Sequence, residues 1–147
     1  MNAKLLLAIA LFWMYSLTEV RAQTSSGGGT SAEYKVGQVW NYETAPGAEE
    51  SRLVILNVES QGKRGNLVHI RIENIPTPNC AGFHLTTAIE HLAVPGKILR
   101  TSTTALVKDQ MDLPKDYFEA YKQWQNDRHK QIIKRPLAEI ALPGAVR

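Results

Sequence analysis

SRLVILNVESQGKRGNLVHIRIENI, residues 51–75, holds two strand-forming runs about a polar turn bracketed by Gly62 and Gly65. In the second run Val68, Ile70 and Ile72 point one way. Leu67, His69, Arg71 and Glu73 point the other. A period of two marks a strand with one apolar face. In the first run Leu53 and Ile55 face one side and Val54, Leu56 and Val58 the other. A strand apolar on both faces is central and covered twice. The pair reads as a β-hairpin at the centre of a small antiparallel sheet.

Upstream, Val39 to Thr44 is rich in strand formers, with Trp40 and Tyr42 on one face and Val39 and Asn41 on the other. Gly37 fits a turn or a close backbone approach, and Ala45-Pro46-Gly47 breaks the run. Downstream, Pro76 and Pro78 forbid regular pairing, so residues 76–82 read as a loop. Phe83 to Ile89 forms a further strand, and residues 90–96 a second loop. The period then changes. Ile98, Leu99, Ala105 and Leu106 sit at roughly helical spacing within Lys97–Val107. Pro114 to Lys130 is the clearest helix, with Tyr117, Phe118, Tyr121 and Trp124 as an aromatic stripe opposite a polar side. Ile132 to Leu142 carries Pro136 and reads as an edge strand or a strapped-on tail. Strands first and helices later argue α+β. The expected fold is a twisted antiparallel sheet of four or five strands with two helices packed on one face.

The chain has 147 residues and a formal charge of +3. Its start follows the plan of a secretory signal peptide. Lys4 supplies the positive end, Leu5 to Leu17 is an unbroken run of apolar and small residues, and Val20-Arg21-Ala22 offers a cleavage site. The run is shorter than the ~20 apolar residues of a membrane span. Residues 1–22 therefore read as a signal peptide and 23–33, rich in Gly and Ser, as a flexible leader. Residues 34–147 read as a single domain, with no stable membrane span after cleavage. Cys80 is the one cysteine, so the domain has no internal disulfide. The basic residues are scattered, which disfavours nucleic acid as a partner.

The opening Tyr34-Lys35-Val36-Gly37-Gln38-Val39-Trp40-Asn41-Tyr42, the hairpin after it and the Leu113-Pro114…Tyr121…Trp124 stretch resemble a group of small exported bacterial proteins of uncharacterised function. Pro136-Leu137-Ala138-Glu139-Ile140 is similar to the ending of that group. The resemblance covers most of the chain after the leader. It implies a bacterial source and export to the periplasm or beyond, and it implies no chemistry. Pro143-Gly144 departs from the group's pattern.

No nucleophile elbow, phosphate-binding loop or dinucleotide fingerprint occurs in the chain. His69, His84 and His91 would make a zinc or copper site if their strands brought them together, but no short ligand spacing supports one. No cofactor is implied. Cys80 with His84 or His91, or a His/Glu constellation, offers an alternative reading as a small envelope hydrolase. The favoured reading is a non-enzymatic domain that binds a protein or envelope component. Its candidate site is the sheet face opposite Val68, Ile70 and Ile72, with His69, Arg71 and Glu73, and His84 nearby. Trp40 and Tyr42 would add aromatic anchors if they share that face. The processing expectation is checked by intact mass. The exported protein should begin at Gln23, and full-length chain recovered in the membrane would overturn it.

Overall fold

The computed structural model describes residues 33–77 and 85–142. The signal peptide, the leader, Cys80 and His84 lie outside the described residues. β2 (Arg52–Ser60) and β3 (Asn66–Thr77) form the expected hairpin, with Ser60 opposite Asn66 and Val58 opposite Val68. A 3₁₀ turn at Gly62–Arg64 closes it, followed by Gly65 at φ +84°. β1 (Val39–Tyr42) pairs with β2, β4 (Leu85–Pro95) with β3, and β5 (Thr103–Lys108) with the far edge of β1. All the pairings are antiparallel, in the order β4-β3-β2-β1-β5. α1 (Gly96–Ser102) and α2 (Glu119–Asn126) complete an α+β fold. No helix among the described residues is long and apolar enough to cross a membrane.

The two helices divide between the faces of the sheet instead of sharing one. Leu99 of α1 packs in one cluster with Leu53, Ile55, Val68, Ile70, Ile72, Ile75 and Val94. Tyr121 and Trp124 of α2 pack on His69, which has the opposite parity on β3. The chemistry of the faces explains the division. The α1 face of β3 is aliphatic, whereas the other carries His69, Arg71 and Glu73. The hydroxyls of Tyr117, just before α2, and of Tyr121 within it donate to Glu73 of that row and to Glu59 of β2 as the segment buries the face.

Several boundaries differ from those read in the sequence. β3 includes Pro76 and Thr77, read as loop, which stand opposite Thr86 and Leu85 of β4; at the end of a strand proline forfeits one N–H without breaking the pairing. β4 runs on to Pro95, because Leu92 and Val94 pair with Ile70 and Val68 and bury the end of the strand. The helix begun at Gly96 stops at Ser102, where the hydroxyls of Ser102 and Thr103 bond back to the carbonyls of Ile98 and Leu99. Such back-bonding competes with helix continuation, and the β-branched residues that follow pair with β1. Within Pro114–Lys130, residues Lys115–Phe118 are 3₁₀ and only Glu119–Asn126 are α-helical.

The tail is a strap. Ile133 N–H donates to Ala93 O at 2.9 Å, so the chain leaves α2 along the outer edge of β4. Leu137 and Ala141 then enter the α1-side cluster, both essentially without solvent exposure. At the other end of the long excursion, Gly37 sits at φ +86°, donates its N–H to Ile55 O and accepts from Met111 N–H. A Cβ on Gly37 would stand 2.7 Å from Met111 O, whereas one on Gly47, also at φ +86°, meets nothing within 4 Å. Gly47→Ala should therefore cost about 1 kcal/mol, the left-handed penalty alone. Gly37→Ala should cost about 3 kcal/mol, because backbone must also move. Urea titration of the two variants checks the difference.

Candidate functional site

Two irregularities in strand pairing assemble the polar face. The register of β2 against β3 shifts between Ile55 and Asn57, leaving Leu56 as the extra residue of a bulge. Strict alternation from Ile55 would send Asn57 and Glu59 to the α1 face. The bulge sends them to the face of His69 instead, opposite His69 and Leu67. In β4 the register shifts between the partners of Ile70 and Ile72, Leu92 and Ile89. Glu90 and His91 together oppose Arg71, and both side chains reach the α2 side. Glu90 pairs with Arg71 and His91 with His69.

His69 is fully buried. Its Nδ1 lies 2.9 Å from Nε2 of His91, and the two rings stack at 5.2 Å with 18° between planes. Its Nε2 stands 3.2 Å from Glu59 Oε1, without the alignment of a hydrogen bond. The neighbouring carboxylate favours a proton on Nε2. Nδ1 then accepts from His91 Nε2–H, which leaves the lone pair of His91 on Nδ1. Tyr121 closes the assembly. Its hydroxyl accepts from Asn57 Nδ2 at 2.7 Å and Gln125 Nε2 at 2.9 Å, and donates to Glu59 Oε1 at 2.8 Å. Tyr121 and Trp124 cover His69 with centroids at 4.6 and 4.7 Å.

Burial holds the imidazoles neutral. Desolvation lowers the pKa of His69 against the opposing pull of Glu59. Desolvation, then the neighbouring His69, lowers that of His91 to about 4. Burial and the Glu59 hydrogen bond raise the phenol of Tyr121.

Arg71 is saturated by its own surroundings. Its Nε donates to Glu73 at 3.1 Å, Nη1 pairs with Glu90, and the guanidinium lies 4.2 Å from the Tyr117 ring centroid. The Tyr117 hydroxyl donates to Glu73, which raises the phenol's pKa. The face read as a binding surface is thus an interior one at His69 and Arg71, covered by α2 and the 3₁₀ turn before it. Trp40 and Tyr42 are not part of it. Trp40 pairs across the sheet with Leu53, so both aromatics point to the α1 side. Trp40 there packs edge-on against Tyr34 at 5.4 Å and donates to Gln38 Oε1. His84 lies outside the described residues. Among those described, no three His, Cys, Asp or Glu side chains group to hold a metal ion.

The surface feature that adjoins the buried assembly is a cleft of about 530 Å³ between β4, α2 and the strap. Leu92, Ala93, Ala120 and Ile133 supply its apolar lining, and Glu90, His91, Gln123, Trp124, Asp127 and Gln131 its polar or amphipathic one. Trp124 donates to Gln131 O at 3.2 Å, which ties the helix to the strap. The Lys130 ammonium lies 4.8 Å from the indole centroid. A second cleft, near Glu49, Glu50 and Leu85, has carboxylates on an open turn and no imidazole or indole. Comparison with known proteins found no matching family model, no matching curated protein and no matching solved structure.

Two outcomes follow from this geometry. Tyr121→Phe removes one hydroxyl and leaves Asn57, Glu59 and Gln125 short of a partner. It should cost about 1–3 kcal/mol in denaturant titration. The lowered pKa of His91 sets the direction with pH. Between the ordinary value of 6.5 and about 4 the unfolded chain binds a proton that the folded chain refuses. Stability is full above about 6.5 and is lost as pH falls towards 4, by about 3 kcal/mol in all. Urea midpoints at pH 7.5 and 4.5 check the sign.

Proposed function

We propose that the chain is an exported, non-enzymatic binding domain whose ligand, a protein segment or envelope component, occupies the cleft between β4 and α2. The observation that carries this reading is the cleft's construction. Apolar surface of Leu92, Ala93 and Ile133 lies beside an indole, two carboxylamides, two carboxylates and an imidazole, a mix suited to recognition. The groups behind it are already bonded to each other, so they position the cleft walls. Export rests on the charged start, the short apolar run and the Val20-Arg21-Ala22 site. The resemblance to small exported bacterial proteins points the same way.

One observation favours a second reading, a small envelope hydrolase. The His91 imidazole lines the cleft with Glu90 and Asp127; the buried His69 stands behind it, and the partly exposed Glu59 beyond that. An imidazole backed by a hydrogen-bonded partner and a carboxylate is the arrangement of a general base. Its lowered pKa makes it a weak one at neutral pH.

The cleft reading is tested by affinity capture from the envelope fraction of the exporting cell. Gln123 is exposed on α2, so Gln123→Arg fills the cleft without touching the core. The parent and a Thr104→Arg control on exposed β5 should retain the same partner, and Gln123→Arg should lose it with its melting temperature intact. Equal capture by all three would move the site elsewhere.

A further inference from the structure

The seat of α2 is a pair of titratable rings, and it forms one wall of the cleft. α2 has eight residues, only Tyr121 of them buried, and no side-chain cap at its N-terminus. A helix this short does not stand alone in water. Its place is set by Tyr121 and Trp124, whose rings rest on His69 at 4.6 and 4.7 Å and on His91 at 5.7 and 5.4 Å. We propose that α2 is an acid-operated wall of the cleft, seated on the His69–His91 pair while both rings are neutral and lifted from it when they take up protons. This rests on the reading of the cleft as the ligand site and adds how access to it is regulated.

The geometry opposes a proton in several ways. The bond between His69 Nδ1 and His91 Nε2 needs one lone pair, and full protonation would set two N–H groups against each other at 2.9 Å. Protonating one ring places a charge on a side chain with no solvent exposure, beneath an indole and a phenol. The charged groups around the pair come from every packed element. From β2, Glu59 favours the proton, but it shares its Oε1 with the Tyr121 hydroxyl. From the segment after α2, Lys130 opposes it. From β4, Glu90 is occupied by Arg71. Asp127, at the end of α2, lines the cleft and accepts from His129 N–H. Burial outweighs Glu59, and both rings are held below their ordinary range. Lifting α2 gives the rings water, so acid favours the lifted state. The sign follows from linkage: the state that binds protons more readily gains as pH falls.

The movement is confined by what brackets it. Met111 N–H is held by Gly37 O on one side, and Ile133 N–H by Ala93 O on the other. The α1-side cluster contains aliphatic residues and tyrosines, none of which titrates in acid. Acid therefore finds no group to protonate inside that cluster; the carboxylate linked to Trp40 is Asp109, which accepts from Gln38. Trp124 and Trp40 report the two faces separately.

The test uses the exported chain, from Gln23 onward, with 5-fluorotryptophan at Trp40 and Trp124, each resonance assigned by a Trp→Phe substitution. Fluorine NMR is followed from pH 7.5 to 4. The Trp124 resonance should move with a midpoint between pH 6.5 and 4, reversibly, while that of Trp40 stays in place. His91→Phe should lower that midpoint by at least half a pH unit. A Trp124 resonance that does not move overturns the proposal, and so does joint movement of Trp40 and Trp124 at one midpoint, which is global unfolding. Should His91→Phe fail to fold, the parent titration decides by itself. The ligand reading is tested separately by the Gln123→Arg capture, so either reading can fall while the other stands.

Discussion

β3 is buried on both faces, yet only one of its faces is apolar. Val68, Ile70 and Ile72 find an aliphatic layer, as expected of a sheet strand. His69, Arg71 and Glu73 on the reverse have little water to turn to. Buried polar groups without partners cost more than most contacts return. The rest of the α2 side follows from this need. Glu90 and Tyr117 answer Arg71 and Glu73. His91, Tyr121 and Trp124 answer His69, and Asn57, Glu59 and Gln125 answer Tyr121.

This mutual satisfaction separates scaffold from surface. A guanidinium held by two carboxylates and a phenol ring has little left to offer a partner. The groups with spare capacity stand one layer out, where α2 and the strap diverge from β4. The indole of Trp124 belongs to both layers: one part of it rests on the imidazoles and another lines the cleft. Any ligand in the cleft is thereby in contact with the element most sensitive to the state of the histidines.

The hairpin, the antiparallel sheet, the parity of β1 and β3 and the aromatic stripe were legible because each is carried by periodicity. The strapped tail was legible as one of two readings of Pro136. The site was not, for a specific reason. Strict alternation assigns Asn57 and Glu59 to the aliphatic side, and Glu90 and His91 to a loop. A single extra residue at Leu56, and another at the Glu90–His91 pair, reverses those assignments. Leu53 to Leu56 is apolar at every position, so the change of parity at the bulge leaves no visible break in the pattern. The division of the helices had a faint signal: a stripe carrying two phenol hydroxyls matches a polar row better than an aliphatic one. The end of α1 at Ser102 was legible only as threonines within a helical spacing, and the open edge of β1 decided it.

The strap ties the order of folding to the order of the chain. Leu137 and Ala141 complete a cluster whose other members begin at Tyr34. β5 joins β1 across the whole of the hairpin, β4 and α1. The α1 face of the sheet cannot close until the segment near residue 140 exists, so part of the core rests on contacts of long sequence separation. High separation of this kind slows folding. A nascent chain of this design holds its hairpin early and its core late. It remains an open, threadable polymer through most of its synthesis.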